Sequence, residues 1–293
     1  MAIKKFIASS AGSQADLKAR VNIAKVHGGY FSNLGAAQSF VNVGIKSIIK
    51  KLPRNIKLAD YGGGQGFLTK IVADYLTSKK YKVTAFVVDA NPEYLAVAKK
   101  DGLETHQCNL ESCDFKDADL IIMRAVNHYN AIDKQLDILK NARQALKRGG
   151  FLVSQISSGS KDNCALRSKI VNLKSLGRAA AGESYHWTAM PEYSTLLKKA
   201  GFKNIAVAGY APDCQWSPEE QWNRFHKKEA AAAKGDIKKI AAIDRRRKIF
   251  IKEAYAIIDE FIGKYKNDEL GIIFNKNGKA IIQYQYPIIT SQK

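Results

Sequence analysis

The sequence predicts an α/β protein built on a doubly wound, mostly parallel sheet. Three observations predict it. Short β-branched and aromatic runs alternate with helically spaced segments from residue 56 to residue 210, a glycine cluster marks the first strand-to-helix junction, and an aspartate ends the second run.

The opening, 1–54, reads as helical. Phe40, Val43, Ile48 and Ile49 form an apolar set over Ser39 to Lys50, and Pro53 closes it. A strand at 56–61 leads through Gly62–Gly66 into a helix over 67–76, where Leu68, Ile71, Val72 and Tyr75 share a face. Val83–Val88 reads as a buried strand ending at Asp89. Pro92 suits a first helical position and Gly102 a C-terminal cap. Short strands follow at 103–108 and 119–123, then a helix over 132–147 and a fifth strand at 151–156. The rhythm breaks at 157–190, a Ser-, Gly- and Ala-rich connection. It resumes with a helix at 191–200 and a strand at 204–209. Residues 217–266 are helical by composition, and 279–286 alternate as a return strand. The expected organisation is a helical segment 1–54, an α/β core 55–211 carrying the 157–190 insertion, a helical insertion or lid 212–268, and a final strand within 269–293.

The 293 residues, 46% hydrophobic and 25% charged, suit a globular enzyme. The net charge of +20 admits two readings, an acidic partner or solvated lysine faces. Lysines (36) far outnumber arginines (11), whereas nucleic-acid readers often favour the planar guanidinium. Cys108, Cys113, Cys164 and Cys214 form no C-x-x-C pair, so reduced thiols, no metal and a cytoplasmic location are expected. Residues 1–20 lack a secretory apolar core, and no run of 18 apolar residues occurs.

The central signal is Asp60-Tyr-Gly62-Gly63-Gly64-Gln-Gly66, with Asp89 at the next strand end. Glycines there let a ligand approach the backbone, and a strand-end carboxylate accepts hydrogen bonds from ribose hydroxyls. A dinucleotide fingerprint fails, because Phe67 and Thr69 stand where its third glycine belongs. An acid at Asp60 repels a pyrophosphate but suits an ammonium. S-adenosylmethionine carries an ammonium and a sulfonium and no phosphate.

The stretches "LADYGGGQGFLT", "AFVVDANPEYLAVAKK" and "DLIIMRAVNHYNAIDKQLDILKNARQALKRGGFLV" resemble successive motifs of class I S-adenosylmethionine-dependent methyltransferases. "WTAMPEYSTLLKKAGFKNIAV" is similar to small-molecule and quinone-type members. The resemblance covers about 56–210. It implies a Rossmann-like, seven-stranded sheet whose last strand runs antiparallel between the fifth and sixth. It also implies S-adenosylmethionine as cofactor: Asp60, Gly62 and Gly64 beside the methionine part, Asp89 on the ribose, Asn109 and Leu110 near adenine, and Arg124 and Ala125 under the methyl group.

Methyl transfer needs alignment and exclusion of water more than a fixed catalytic motif. His128 is the candidate base, since histidine titrates near neutrality. Tyr30 is a candidate cover for the cofactor, with His27 and Phe31 beside it. His186 and Trp187 are candidate acceptor-pocket residues, and Trp216, Trp222 and Phe225 form an aromatic stripe. The leading expectation is methylation of a small molecule, an acidic acceptor being one reading of the charge. An RNA methyltransferase is the first alternative, although Asn127-His-Tyr-Asn130 lacks the prolines of N-P-P-Y and no Pro-Cys or Thr-Cys nucleophile occurs. A non-catalytic cofactor-binding scaffold is the second.

Overall fold

The computed structural model describes residues 34–177 and 184–293. Among the described residues one sheet contains β1 (Asn55–Tyr61), β2 (Lys82–Asp89), β3 (Glu104–Gln107), β4 (Ala118–Arg124), β5 (Leu146–Gln155), β6 (Lys203–Trp216), β7 (Ile272–Phe274) and β8 (Ala280–Gln292). The order is β3-β2-β1-β4-β5-β8-β6, with β7 pairing β8. The first five strands run parallel, and β8 lies antiparallel between β5 and β6. The doubly wound α/β expectation holds, with one strand more than seven. β5 pairs only the end of β8, and β7 pairs its start, at Ala280–Ile282.

Residue parity explains why the strands are apolar throughout. Leu58, Leu120, Ile122, Val153 and Ile288 pack on one face with Phe40, Ile45, Leu68, Val72 and Leu76. Their neighbours Ala59, Ile121, Met123, Leu152 and Ile289 pack on the other with Ile138, Leu139, Tyr193 and Leu197. Side chains alternate across a pleated strand, so a sheet covered on both faces needs apolar residues at both parities. Helices Leu34–Phe40 and Phe67–Ser78 cover the first face, and helices Ile132–Ala145 and Met190–Lys199 the second. Gly44 sits so close to the sheet that a Cβ there would lie 2.7 Å from Val153 Cγ1 and 2.8 Å from Ile288 Cγ2.

Three expectations change. The helix expected over 39–50 already includes Leu34–Phe40 among the described residues and passes through a π turn, Val41–Ile45. The connection 157–190 contains a helix, Lys161–Val171, capped by the Ser160 side chain accepting from Asn163 N. β6 continues to Trp216, so the helical stretch begins at Pro218. That stretch comprises helices Pro218–Phe225, Lys227–Ala232 and Ile237–Ile262. Trp216, Trp222, Phe250, Ile257 and Ile258 share a core with Leu166, Ile170 and Trp187 of the first insertion. Among the described residues no helix is long and apolar enough to cross a membrane.

Candidate functional site

A cavity of about 630 Å³ opens at the carboxyl ends of β1, β2 and β4. The chain leaves β1 for a helix on one face and β4 for a helix on the other, so this is where a doubly wound sheet leaves a crevice.

The glycine turn forms its floor. Gly62, Gly64 and Gly66 all have positive φ (71°, 56° and 85°), which non-glycine residues rarely adopt. Gly62 N donates to Val88 O at 2.8 Å, tying the turn to β2. A Cβ on Gly62 would lie 2.5 Å from Val126 Cγ2, and one on Gly66 would lie 2.4 Å from Leu103 Cδ1. Packing therefore demands these two glycines whatever ligand is bound. Val126 reaches Gly62 because Ala125, at φ 58°, turns the chain sharply out of β4, its N–H donating to Gln155 O at 2.8 Å. A left-handed alanine costs about 1 kcal/mol, and such residues cluster at functional sites.

Two carboxylates face the turn. Asp60 is buried and its Oδ2 accepts from Thr69 Oγ1 at 2.7 Å. Burial pushes its pKa up to about 6, Asp89 adds to the rise, and the Thr69 hydrogen bond and the Arg124 charge oppose it. Asp89 accepts from Gly64 N through Oδ2 and from Asn91 N through Oδ1, both at 2.9 Å.

Asp60, Gly62, Gly64, Asp89, Asn109, Leu110, Arg124 and Ala125 all line the cavity. Residues that sequence reasoning did not assign to it line it too, among them Gln65, Phe67, Tyr94 and Tyr185. The far wall is aromatic, with Tyr129 meeting Tyr185 edge-on at 5.7 Å. His128 does not line the cavity. It is buried behind the wall, its ring 4.3 Å from Tyr129 and stacked on Trp187 at 5.1 Å. Tyr30, His27 and Phe31 lie outside the described residues. His186 points away, paired with Glu192 at 3.4 Å, while its neighbours Tyr185 and Trp187 are buried. Gln135, fully buried, holds this region together. Its Nε2 donates to Asn130 O (2.9 Å) and His186 O (2.8 Å), and its Oε1 accepts from Thr188 Oγ1 (2.7 Å). No sequence signal marked Tyr185, since the contact depends on a chain returning some 50 residues later.

The expectation of four reduced thiols is corrected at two positions. Cys108 and Cys113 are joined in a disulfide across the Asn109–Ser112 turn. The turn itself brings the sulfurs together, which a search for C-x-x-C spacing overlooks. Cys164 is free and buried.

The O-methyltransferase domain family matches residues 30–203. Among solved structures, the chain is similar to a Bacillus halodurans C-125 protein assigned as a methyltransferase: 15% identity, 87% of this chain and 99% of that one covered, TM-score 0.58. It is also similar to the YcgJ protein of Bacillus subtilis, with 16% identity, 85% and 97% covered, and TM-score 0.54. A third is Haemonchus contortus phosphoethanolamine N-methyltransferase 2, solved with phosphomonomethylethanolamine and S-adenosylhomocysteine, with 13% identity, 92% and 56% covered, and TM-score 0.51. At these identities the likeness shows the fold. No curated protein sequence matches the chain.

Proposed function

We propose that this chain, which belongs to the O-methyltransferase domain family and is an S-adenosylmethionine-dependent methyltransferase, methylates a small molecule held against the Tyr129–Tyr185 wall. The observation that carries the reading is the division of the cavity. Its carboxylates and glycines gather at the ends of β1 and β2, and its aromatic wall stands beyond β4. The first half fits the cofactor. Asp60, buried and opposite Arg124, offers a carboxylate to an ammonium. Asp89 keeps lone pairs for ribose hydroxyls beyond its two backbone donors. Gly62 and Gly64 leave room for the methionine part, and Asn109 and Leu110 flank the adenine side.

The cofactor supplies an activated methyl group on a sulfonium. This chain supplies alignment and dryness. Arg124 and Ala125 at the end of β4 border the reacting region, and Tyr129 and Tyr185 close it laterally. His128 has its backbone carbonyl tied to His186 N (3.2 Å) and its ring between Tyr129 and Trp187, so its role is to prop the wall. An oxygen is the acceptor atom that the family's description supports.

The test is transfer of a radiolabelled methyl group from S-adenosylmethionine into fractionated extracts. Label in small hydroxylated molecules supports the reading. Label confined to RNA overturns it and makes the +20 charge functional. Binding without transfer to either fraction would leave a scaffold.

A further inference from the structure

Outside the cavity, the end of β3 gathers a second set of chemistry-bearing groups. The donor atoms of His106, Cys108 and Cys113 lie within 4.8 Å of one another. Asp114 Oδ1 lies 2.7 Å from His106 Nε2 and is solvent-exposed, while Cys113 is buried. We propose that, once the Cys108–Cys113 disulfide is reduced, His106, Cys108 and Cys113 bind a zinc ion. The inference is independent of the methyl-transfer reading.

The size fits. Zinc–sulfur bonds of about 2.3 Å and zinc–nitrogen bonds of about 2.0 Å place tetrahedral donors roughly 3.5 Å apart, so the sulfurs part and the imidazole closes in by small shifts. The donor set fits too, since two thiolates and an imidazole are borderline-soft and select zinc over calcium or magnesium. Asp114 takes the part that carboxylates often play behind a metal-bound histidine. Holding His106 through Nε2, it leaves Nδ1 for the metal. The two sulfurs are five residues apart, so the chelating ring closes at little entropic cost.

The chemistry balances through a dithiol. Its two electrons and two protons pass to Cys108 and Cys113 as their S–S bond breaks, and the dithiol closes to its own disulfide. Zinc then displaces both thiol protons. Disulfide and metal use the same sulfurs, so they exclude each other. Each closes the ring that carries Asn109 and Leu110 of the cavity wall.

The full chain is reduced with dithiothreitol, desalted without oxygen, and titrated with cobalt(II), whose thiolate charge-transfer bands report sulfur ligation. Zinc is then used to displace it. The expected result is one equivalent bound by the reduced chain and none by the untreated one. Cys108→Ser and Cys113→Ser should weaken binding about a hundredfold and His106→Gln about tenfold. Cys164→Ser should leave it unchanged. Circular dichroism of each variant confirms folding, and His106→Gln, which leaves both thiols in place, remains informative if a serine variant unfolds. A reduced chain without thiolate bands, bands lost on Cys164→Ser, or full affinity in His106→Gln overturns the proposal.

Discussion

Asp89 holds the glycine turn shut, its Oδ2 accepting the Gly64 N–H at 2.9 Å across 25 residues of sequence. The carboxylate that suits a ribose is thus also a fastener between β1's turn and β2. Its other oxygen accepts from Asn91 N, whose own side chain caps the next helix by accepting from Glu93 N. Under the proposed function, cofactor affinity and turn stability are coupled at this residue.

Asp89→Ala should therefore act twice. Losing hydrogen bonds to a charged acceptor should weaken S-adenosylmethionine binding by about 1.5–3 kcal/mol, and freeing the Gly64 N–H should cost the ligand-free chain about 1 kcal/mol. Calorimetry and thermal melting read the two effects separately. An unchanged affinity would remove Asp89 from the cofactor site, and an unchanged melting temperature would deny its fastening role.

The role proposed for Asp60 predicts a pH dependence of cofactor binding. Its pKa of about 6 lies above the usual 3.8, chiefly through burial, so the ligand-free fold favours its protonated form. That preference stabilises the fold fully below pH 3.8 and is lost as pH rises through 6, a change of about 3 kcal/mol. The cofactor's ammonium needs the ionised form. Affinity should hold above pH 6 and fall up to about tenfold per unit below it. Asp60→Asn should weaken binding at pH 7.5, flatten this profile and make the empty protein more stable at neutral pH. A wild-type affinity independent of pH from 5 to 7 would exclude Asp60 from the ammonium site.

Gly62 and Val126 form a steric pair. Gly62→Ala places a methyl 2.5 Å from Val126 Cγ2 at a φ of 71°, and should cost about 1–3 kcal/mol of stability. Val126→Ala in the same chain should recover part of that loss, because only the collision is relieved and the strained φ persists. Denaturant melts of the single and double variants test it; strict additivity would mean that the two residues do not meet.

His128 distinguishes support from proton transfer. His128→Phe preserves a flat ring between Tyr129 and Trp187 and should keep turnover within about threefold, while His128→Ala leaves a void and should lower it further. If His128→Phe removes the acid limb of the pH–rate profile, the histidine is the base and the wall opens to admit it.

The sheet and the glycine-turn half of the cavity were legible because their signals are local. The glycine turn, Asp60 and Asp89 lie at junctions that alternation alone identifies, and a strand buried on both faces announces itself by continuous apolar residues. What escaped depends on distant partners. Helix Lys161–Val171 has a polar surface by sequence, yet it buries Asn163, whose Nδ2 donates to Leu270 O (2.6 Å) and Gln283 O (2.9 Å) more than 100 residues away. It also buries Arg167, which donates to Ser157 Oγ at 2.8 Å and lies over the Tyr284 ring. No periodicity reveals a polar residue satisfied from across the fold. Tyr185 was missed for the same reason, although the adjacent His186-Trp187 pair drew attention to the right stretch.

The helical stretch after β6 was expected to include a lid, and its packing argues for a scaffold. A lid opens readily because few buried contacts hold it. Here Trp216, Trp222 and Phe250 are buried in a core shared with Leu166 and Ile170, and helix Ile237–Ile262 spends its apolar face on that core. No described residue from 212 to 268 lines the cavity, whereas Tyr185 of the first insertion does. Arg246 is engaged with Glu229 inside the same helical block and does not reach toward the cavity. Hydrogen exchange should therefore show the amides of 250–261 strongly protected with or without S-adenosylmethionine. Ligand-dependent protection should concentrate at 62–66, 109–112, 126–130 and 184–188, where the cavity wall is built from turns and short segments. Rapid exchange of 250–261 in the empty protein, slowed by cofactor, would restore the lid and move the acceptor site beneath it.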